Sequence, residues 1–179
     1  VSGANILSDV PYVQQGTDYS CGAASLQAVL SYWGTDLRED DLMEWLNTSP
    51  DHGTDAHDIV RVARELGFSA YMKDGLTVGD LAASIREGVP VIVGAQAWAE
   101  DRGDGFCWAE DWEHGHYMIV IGVDGDRVYL EDPALKECRE VLPIDEFNER
   151  WHNYMGESLD APGAVRLHHM GIFISADEQ

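Results

Sequence analysis

With 179 residues, 45% of them hydrophobic, the chain can bury one sizeable core, which predicts one domain over 1–179 and argues against disorder. Eleven Lys and Arg against 33 Asp and Glu leave a net charge of −22, which argues against nucleic acid or an anionic membrane as partner, because phosphate binding needs clustered cations. So negative a surface favours cationic substrates or serves solubility, and the scatter of the acids along the chain makes solubility the stronger reading.

Residues 10–13 (Val-Pro-Tyr-Val) predict an extended arm entering a turn at 15–20. Leu26, Val29, Leu30 and Trp33 then recur at i, i+3, i+4 and i+7, one face of a helix that Gly34 closes. An acidic helix follows at 38–46, with Leu37, Leu42, Trp45 and Leu46 inward. After a loop at 48–53, Thr54 and Asp55 cap a helix through Leu66 whose apolar face holds Ile59, Val62, Ala63 and Leu66. Strand character at 68–72 gives way to a helix over 77–87, with Leu81 and Ile85 inward. From 89 on, the pattern turns to strands. Residues 89–95 form a buried strand and 97–115 a long loop with Trp98, Trp108 and Trp112. Residues 117–123 and 127–131 form a hairpin over Asp124-Gly125-Asp126. A helix over 144–151, anchored by Phe147 and Trp151, and a strand over 168–175 complete an α+β pattern: an N-terminal helical lobe packed on an antiparallel sheet.

Three cysteines (Cys21, Cys107, Cys138) make no CxxC and no zinc spacing, which excludes a disulfide framework. The densest apolar run, 117–123, is far short of the ~18 residues of a membrane span. Asp101, Asp104, Glu110 and Asp111 fit no standard calcium loop, so no metal is expected. The sequence starts with Val rather than Met, as in a trimmed chain or a mature form that has lost a leader. Compartment is therefore open, with the cytoplasm slightly ahead of export.

Cys21 is the residue most suited to chemistry. It lies at the first turn of its helix, where unpaired N–H groups and the helix dipole stabilise a thiolate, and small residues (Gly22, Ala23, Ala24) follow it. A cysteine nucleophile needs a base, something to orient that base, and donors for the oxyanion. His116 follows Gly115 at the head of the strongest strand. A two-residue loop in the hairpin would pair 116 with 133 and send Asp132 to the opposite face. A three-residue loop pairs 118 with 132 and puts His116 and Asp132 on one face as diagonal neighbours. Gln15 can donate its carboxamide N–H to an oxyanion together with the N–H of Cys21; Gln14 is its rival. His57, His152, His168 and His169 read as packing or surface residues, and Cys107 and Cys138 as dispensable.

These features occur together as Gln, five residues, Cys-Gly-Ala-Ala-Ser-Leu, then a helix ending in an aromatic and Gly, and later Gly-His-Tyr, an apolar strand, Asp-Gly-Asp and Asp-Pro. The set, spanning about 10–174, resembles the papain-like cysteine peptidases of the bacteriocin-processing type, family thirty-nine of the cysteine peptidases. The resemblance implies a papain-like fold, Cys21 as nucleophile, His116 as general base and acid, Asp132 as orienter and Gln15 as oxyanion donor. It also implies a peptide or protein substrate and no cofactor. The best-known members are fused to an exporter and cut leaders after a Gly-Gly pair. No such regions follow here, so the likeness is to stand-alone relatives, expected to be monomers. The tryptophans of the 97–115 loop (Trp98, Trp108, Trp112) are candidates for a substrate-binding wall. Two alternatives stay open: acyl transfer of the phytochelatin-synthase type, and a peptide-binding module without turnover.

Overall fold

The computed structural model describes residues 5–98, 103–136 and 139–176. The N-terminal part is helical: α1 (Cys21–Tyr32), α2 (Glu39–Trp45) and α3 (Ala56–Glu65), preceded by a two-residue strand β1 (Asn5–Ile6). Then come β2 (Ser69–Lys73), α4 (Val78–Arg86), β3 (Val91–Gln96), a single 3-10 turn at Trp108–Glu110, β4 (Gly115–Val123), β5 (Arg127–Glu131), β6 (Arg139–Pro143), α5 (Ile144–Arg150), β7 (His152–Met155), β8 (Val165–His168) and β9 (Gly171–Ser175). The main sheet runs β2-β9-β3-β4-β5-β6, with β1 added to the end of β4, and β7 and β8 pair by themselves.

Helix starts and stops follow local chemistry. Thr77 and Asp80 form a reciprocal capping box for α4, and Asp55 caps α3 by accepting the His57 N–H. Gly34 takes a left-handed φ of 89° just past α1, as its position requires.

The sheet is covered on both faces, not by one lobe. Leu26, Val29 and Leu30 of α1, with α2 and α3, pack on Ile92, Tyr117, Ile119 and Ile121. Leu81 and Ile85 of α4, with Phe147 and Trp151 of α5, pack on Val91, Val93, Met118 and Val120. That explains why β3 and β4 read as unbroken apolar runs: a strand buried on both faces has no polar side to alternate with.

Four sequence expectations need correction. Trp45 is 41% exposed, because the buried stripe of α2 runs through Leu42 and Leu46 and leaves Trp45 on its rim. The strand expected at 168–175 is two strands, broken where His169 takes φ 60°, stacks on Trp151 and meets the Leu76 carbonyl. Strands β6 and β7 were absent from the sequence reading. β6 is an edge strand with polar residues and a terminal proline, so it carries little apolar signal.

The hairpin reaches the expected register by another route. Its turn is the two residues Gly125-Asp126, closed by the Asp124 N–H to the Arg127 carbonyl at 3.0 Å and by the Asp124 carboxylate accepting the N–H groups of Asp126 and Arg127. Val123 pairs with Val128 and Gly122 with Tyr129, and a bulge at Ile121 then shifts the ladder so that Val120 meets Leu130 and Ile119 meets Glu131. Without the extra residue, Asp132 would fall on the other face of the sheet. The bulge does what the sequence reading assigned to a longer loop.

Candidate active site

Cys21 is the first residue of α1 and His116 the second of β4, and the two elements pack directly through the shared core. Gly22 permits this approach: a Cβ there would lie 2.7 Å from Thr54 Cβ and 3.2 Å from Tyr117 Cδ2. The Tyr117 hydroxyl donates to the Thr54 carbonyl at 2.9 Å, tying the start of β4 to the cap region of α3.

Cys21 and His116 line the same cleft, close enough for the imidazole to act on the thiol, and His116 Nε2 lies 2.7 Å from Asp132 Oδ1. With Nε2 engaged by the carboxylate, Nδ1 is the ring nitrogen that faces the sulfur. Asp132 is fully buried and Oδ1 also accepts the Ala134 N–H at 2.9 Å, which fixes the carboxylate before it meets the ring. Thus imidazole and carboxylate are hydrogen-bonded, with the sulfur beside the ring.

Burial alone would raise the Cys21 pKa, but the charge and hydrogen bond of His116, with the N–H groups of Tyr117 and Gly22, bring it below the ordinary thiol value. Burial alone would likewise lower His116. The negative sulfur and the Asp132 hydrogen bond overcome it and raise the imidazole to about 9. Each shift favours the charged form of its group, so thiolate and imidazolium stabilise one another as a coupled pair.

Gln15 sits beside this chain without lining the cleft. Its backbone N–H donates to the Pro133 carbonyl at 2.8 Å, and its Nε2 donates to the Thr17 carbonyl at 2.7 Å. That leaves one amide hydrogen free, and Oε1 is buried without a hydrogen-bond partner. Gln14, the rival, is exposed.

A cleft of about 440 Å³ opens at Cys21 and His116. The three tryptophans are placed differently. Trp112 lines the cleft, its ring 4.5 Å from His152 and 5.2 Å from His168. Trp98 lies edge-on against the His116 ring at 4.1 Å, 41% exposed, with φ 51°. Trp108 does neither: it is buried under the Arg150 guanidinium, 4.1 Å from its centroid, and against Phe106. A bulky side chain at positive φ costs on the order of 1–3 kcal/mol, so the fold holds Trp98 there against local preference.

Two walls of the cleft were not foreseen: the 47–55 segment between α2 and α3, and residues 153–157 at the end of β7. Both are polar and short, and only the folded chain brings them opposite the helix tip. Among the described residues, no group of three or more His, Cys, Asp or Glu is placed to hold a metal ion. Asp111 of the proposed calcium set instead binds His114 Nδ1 at 2.8 Å, and Asp101 lies outside the described residues. Cys107 is exposed and unpaired, and Cys138 too falls outside the described residues.

The family follows from residues 7–159, which match the sequence profile of the Peptidase_C39 like family. The chain belongs to that family. It is 27% identical over 139 residues to the lactococcin-G-processing and transport ATP-binding protein LagD of Lactococcus lactis, covering 78% of this chain but only 17% of LagD. A C39-like peptidase from Bacillus anthracis superposes with a TM-score of 0.73 over 99% of this chain and all of its own, at 19% identity. The peptidase domain of Streptococcus ComA superposes with a TM-score of 0.64 over 94% of this chain and 99% of that domain, at 20% identity. At those identities the structural likeness establishes the fold, α+β and papain-like, and membership places the chain among C39-type cysteine peptidases. No helix among the described residues is long and apolar enough to cross a membrane.

Proposed function

We propose that the protein is a cysteine peptidase that cleaves a peptide bond through a thioester on Cys21. The observation that carries this reading is the meeting of Cys21 with the Asp132-bonded ring of His116 at the edge of one cleft. The Cys21 thiolate attacks the carbonyl carbon. The Cys21 N–H and the free amide hydrogen of Gln15 receive the oxyanion, and each such donor is worth about 2.7–4 kcal/mol of barrier. His116, protonated at the start, gives its proton to the leaving amine as the C–N bond breaks. It then takes a proton from the water that attacks the thioester, releasing the acid and restoring the pair. Asp132 holds the ring orientation and its charge throughout. A peptide substrate is supported by the likeness to LagD, a lactococcin-G-processing protein.

The test is acyl-enzyme trapping. Mixing the protein with a peptide ester and quenching in acid should leave the acyl mass on Cys21 alone, with none in Cys21→Ala. Peptide-ester turnover with no adduct on Cys21 would reject the assignment.

A further inference from the structure

The cleft carries a charge pattern that bond cleavage itself does not use. Six carboxylates line it; Asp55 caps α3 and Asp58 holds Arg61, and the other four come from four separated segments: Asp18, three residues before Cys21; Asp51, between α2 and α3; Glu113, three residues before His116; and Glu157, just past β7. All four side chains are exposed. None of these four side chains has a hydrogen-bond or ion-pair partner among the described residues, whereas Asp58 in the cleft and Asp40, Glu65, Glu131 and Glu146 elsewhere each hold an arginine. Among the described residues, no Lys or Arg lines the cleft. Acids are frequent across this chain, but a concave wall beside a nucleophile with four unpaired carboxylates and no Lys or Arg among its described lining is a special case. Field lines concentrate in such a cleft and raise the local concentration of positive ligands, by roughly 10- to 10³-fold in rate for steered association.

We infer that the cleft selects peptides with Lys or Arg side chains flanking the scissile bond. Asp18 and Glu113 stand close in sequence to the nucleophile and the imidazole, so the cations belong within a few residues of the bond, with Asp51 and Glu157 receiving those farther along. This rests on the reading of Cys21 as the nucleophile of a peptidase.

Two measurements separate the inference from that reading. Fluorogenic peptides sharing one core and differing only in flanking Lys, Gln or Glu are compared in kcat/KM at about 20 mM and about 300 mM NaCl. The Lys peptide should lead the Glu peptide by on the order of a hundredfold at low salt, with the gap closing at high salt. The triple variant Asp51→Asn, Glu113→Gln, Glu157→Gln should shrink the Lys-to-Gln ratio, a readout that a partly unfolded fraction does not alter. In parallel, anisotropy with Cys21→Ala and the same peptides, fluorescently labelled, reads binding without turnover. Charge-ordered binding upholds the inference even if no peptide is cut, which would count against the peptidase reading alone. Cleavage or binding indifferent to flanking charge, or a ratio unmoved in the triple variant, overturns it.

Discussion

The two sides of the cleft are built on opposite terms. The reacting side hangs on the core: Cys21 begins a helix packed on the sheet through Leu26, Val29 and Leu30, His116 projects from a strand buried on both faces, and Asp132, fully buried, follows directly on β5. The facing walls, 47–55 and 153–157, are short segments in which Asp51 and Glu157 reach solvent unpaired, while Asp55 caps α3 and Met155 anchors in the core. Geometry that must hold to fractions of an ångström is placed where packing is dense, and selectivity is placed where residues can change at little cost to stability.

Substitutions should divide along that line, and the largest effects belong to the reacting side. Cys21→Ala should abolish peptidase turnover, while Cys107→Ser with Cys138→Ser should leave it largely intact; kinetics on one peptide amide check both. Gln15→Ala should lower kcat by about 10²- to 10³-fold, the scale of one lost oxyanion donor, with KM nearly unchanged. Loss confined to KM would instead assign Gln15 to binding.

Asp132→Asn should cost about ten- to a hundredfold, the scale of one charged hydrogen bond. It should also narrow the pH profile from both ends, and the sign follows from the pair. Activity needs the thiolate, so it falls on the acid side as Cys21 takes up a proton. It needs the imidazolium, so it falls on the alkaline side as His116 loses its proton near the wild-type value of about 9. Removing the carboxylate removes one cause of the raised His116 pKa, which moves the alkaline limb toward neutrality. A less available imidazolium also stabilises the thiolate less, which moves the acid limb up. A profile with unchanged limbs would deny Asp132 its role. Gly22→Ala probes how the core holds the nucleophile: the added Cβ must displace Thr54 or Tyr117, so both melting temperature and kcat should fall. The smallest effects belong to single wall changes such as Glu157→Gln, at a few-fold and only on cationic peptides.

The same division decides what the sequence could say. Cys21, Gly34 and the α1 stripe were legible because a helix imposes a local period, and the capped starts of α3 and α4 because capping is a matter of three or four adjacent residues. Asp132 was placed on the face of His116 by hairpin register. The arithmetic reached the right pairing while missing the bulge at Ile121 that produces it, since nothing in Val-Ile-Gly marks an unpaired residue. Trp108 read like its two neighbours in the loop, yet Arg150, far along the chain, draws it under α5. The 153–157 wall was out of reach for a similar reason. Four residues of β7 carry too weak an alternation to announce a strand, and its position opposite α1 depends on the whole sheet.

The most direct measurement is the rate of Cys21 alkylation by iodoacetamide against pH, in a Cys107→Ser, Cys138→Ser background, with and without His116→Ala. The thiolate–imidazolium pair predicts an alkylation limb below the ordinary thiol range in the parent, and a shift of that limb up to the ordinary range, about 8.5, once His116 is gone. Identical limbs near that ordinary value in both proteins would contradict it.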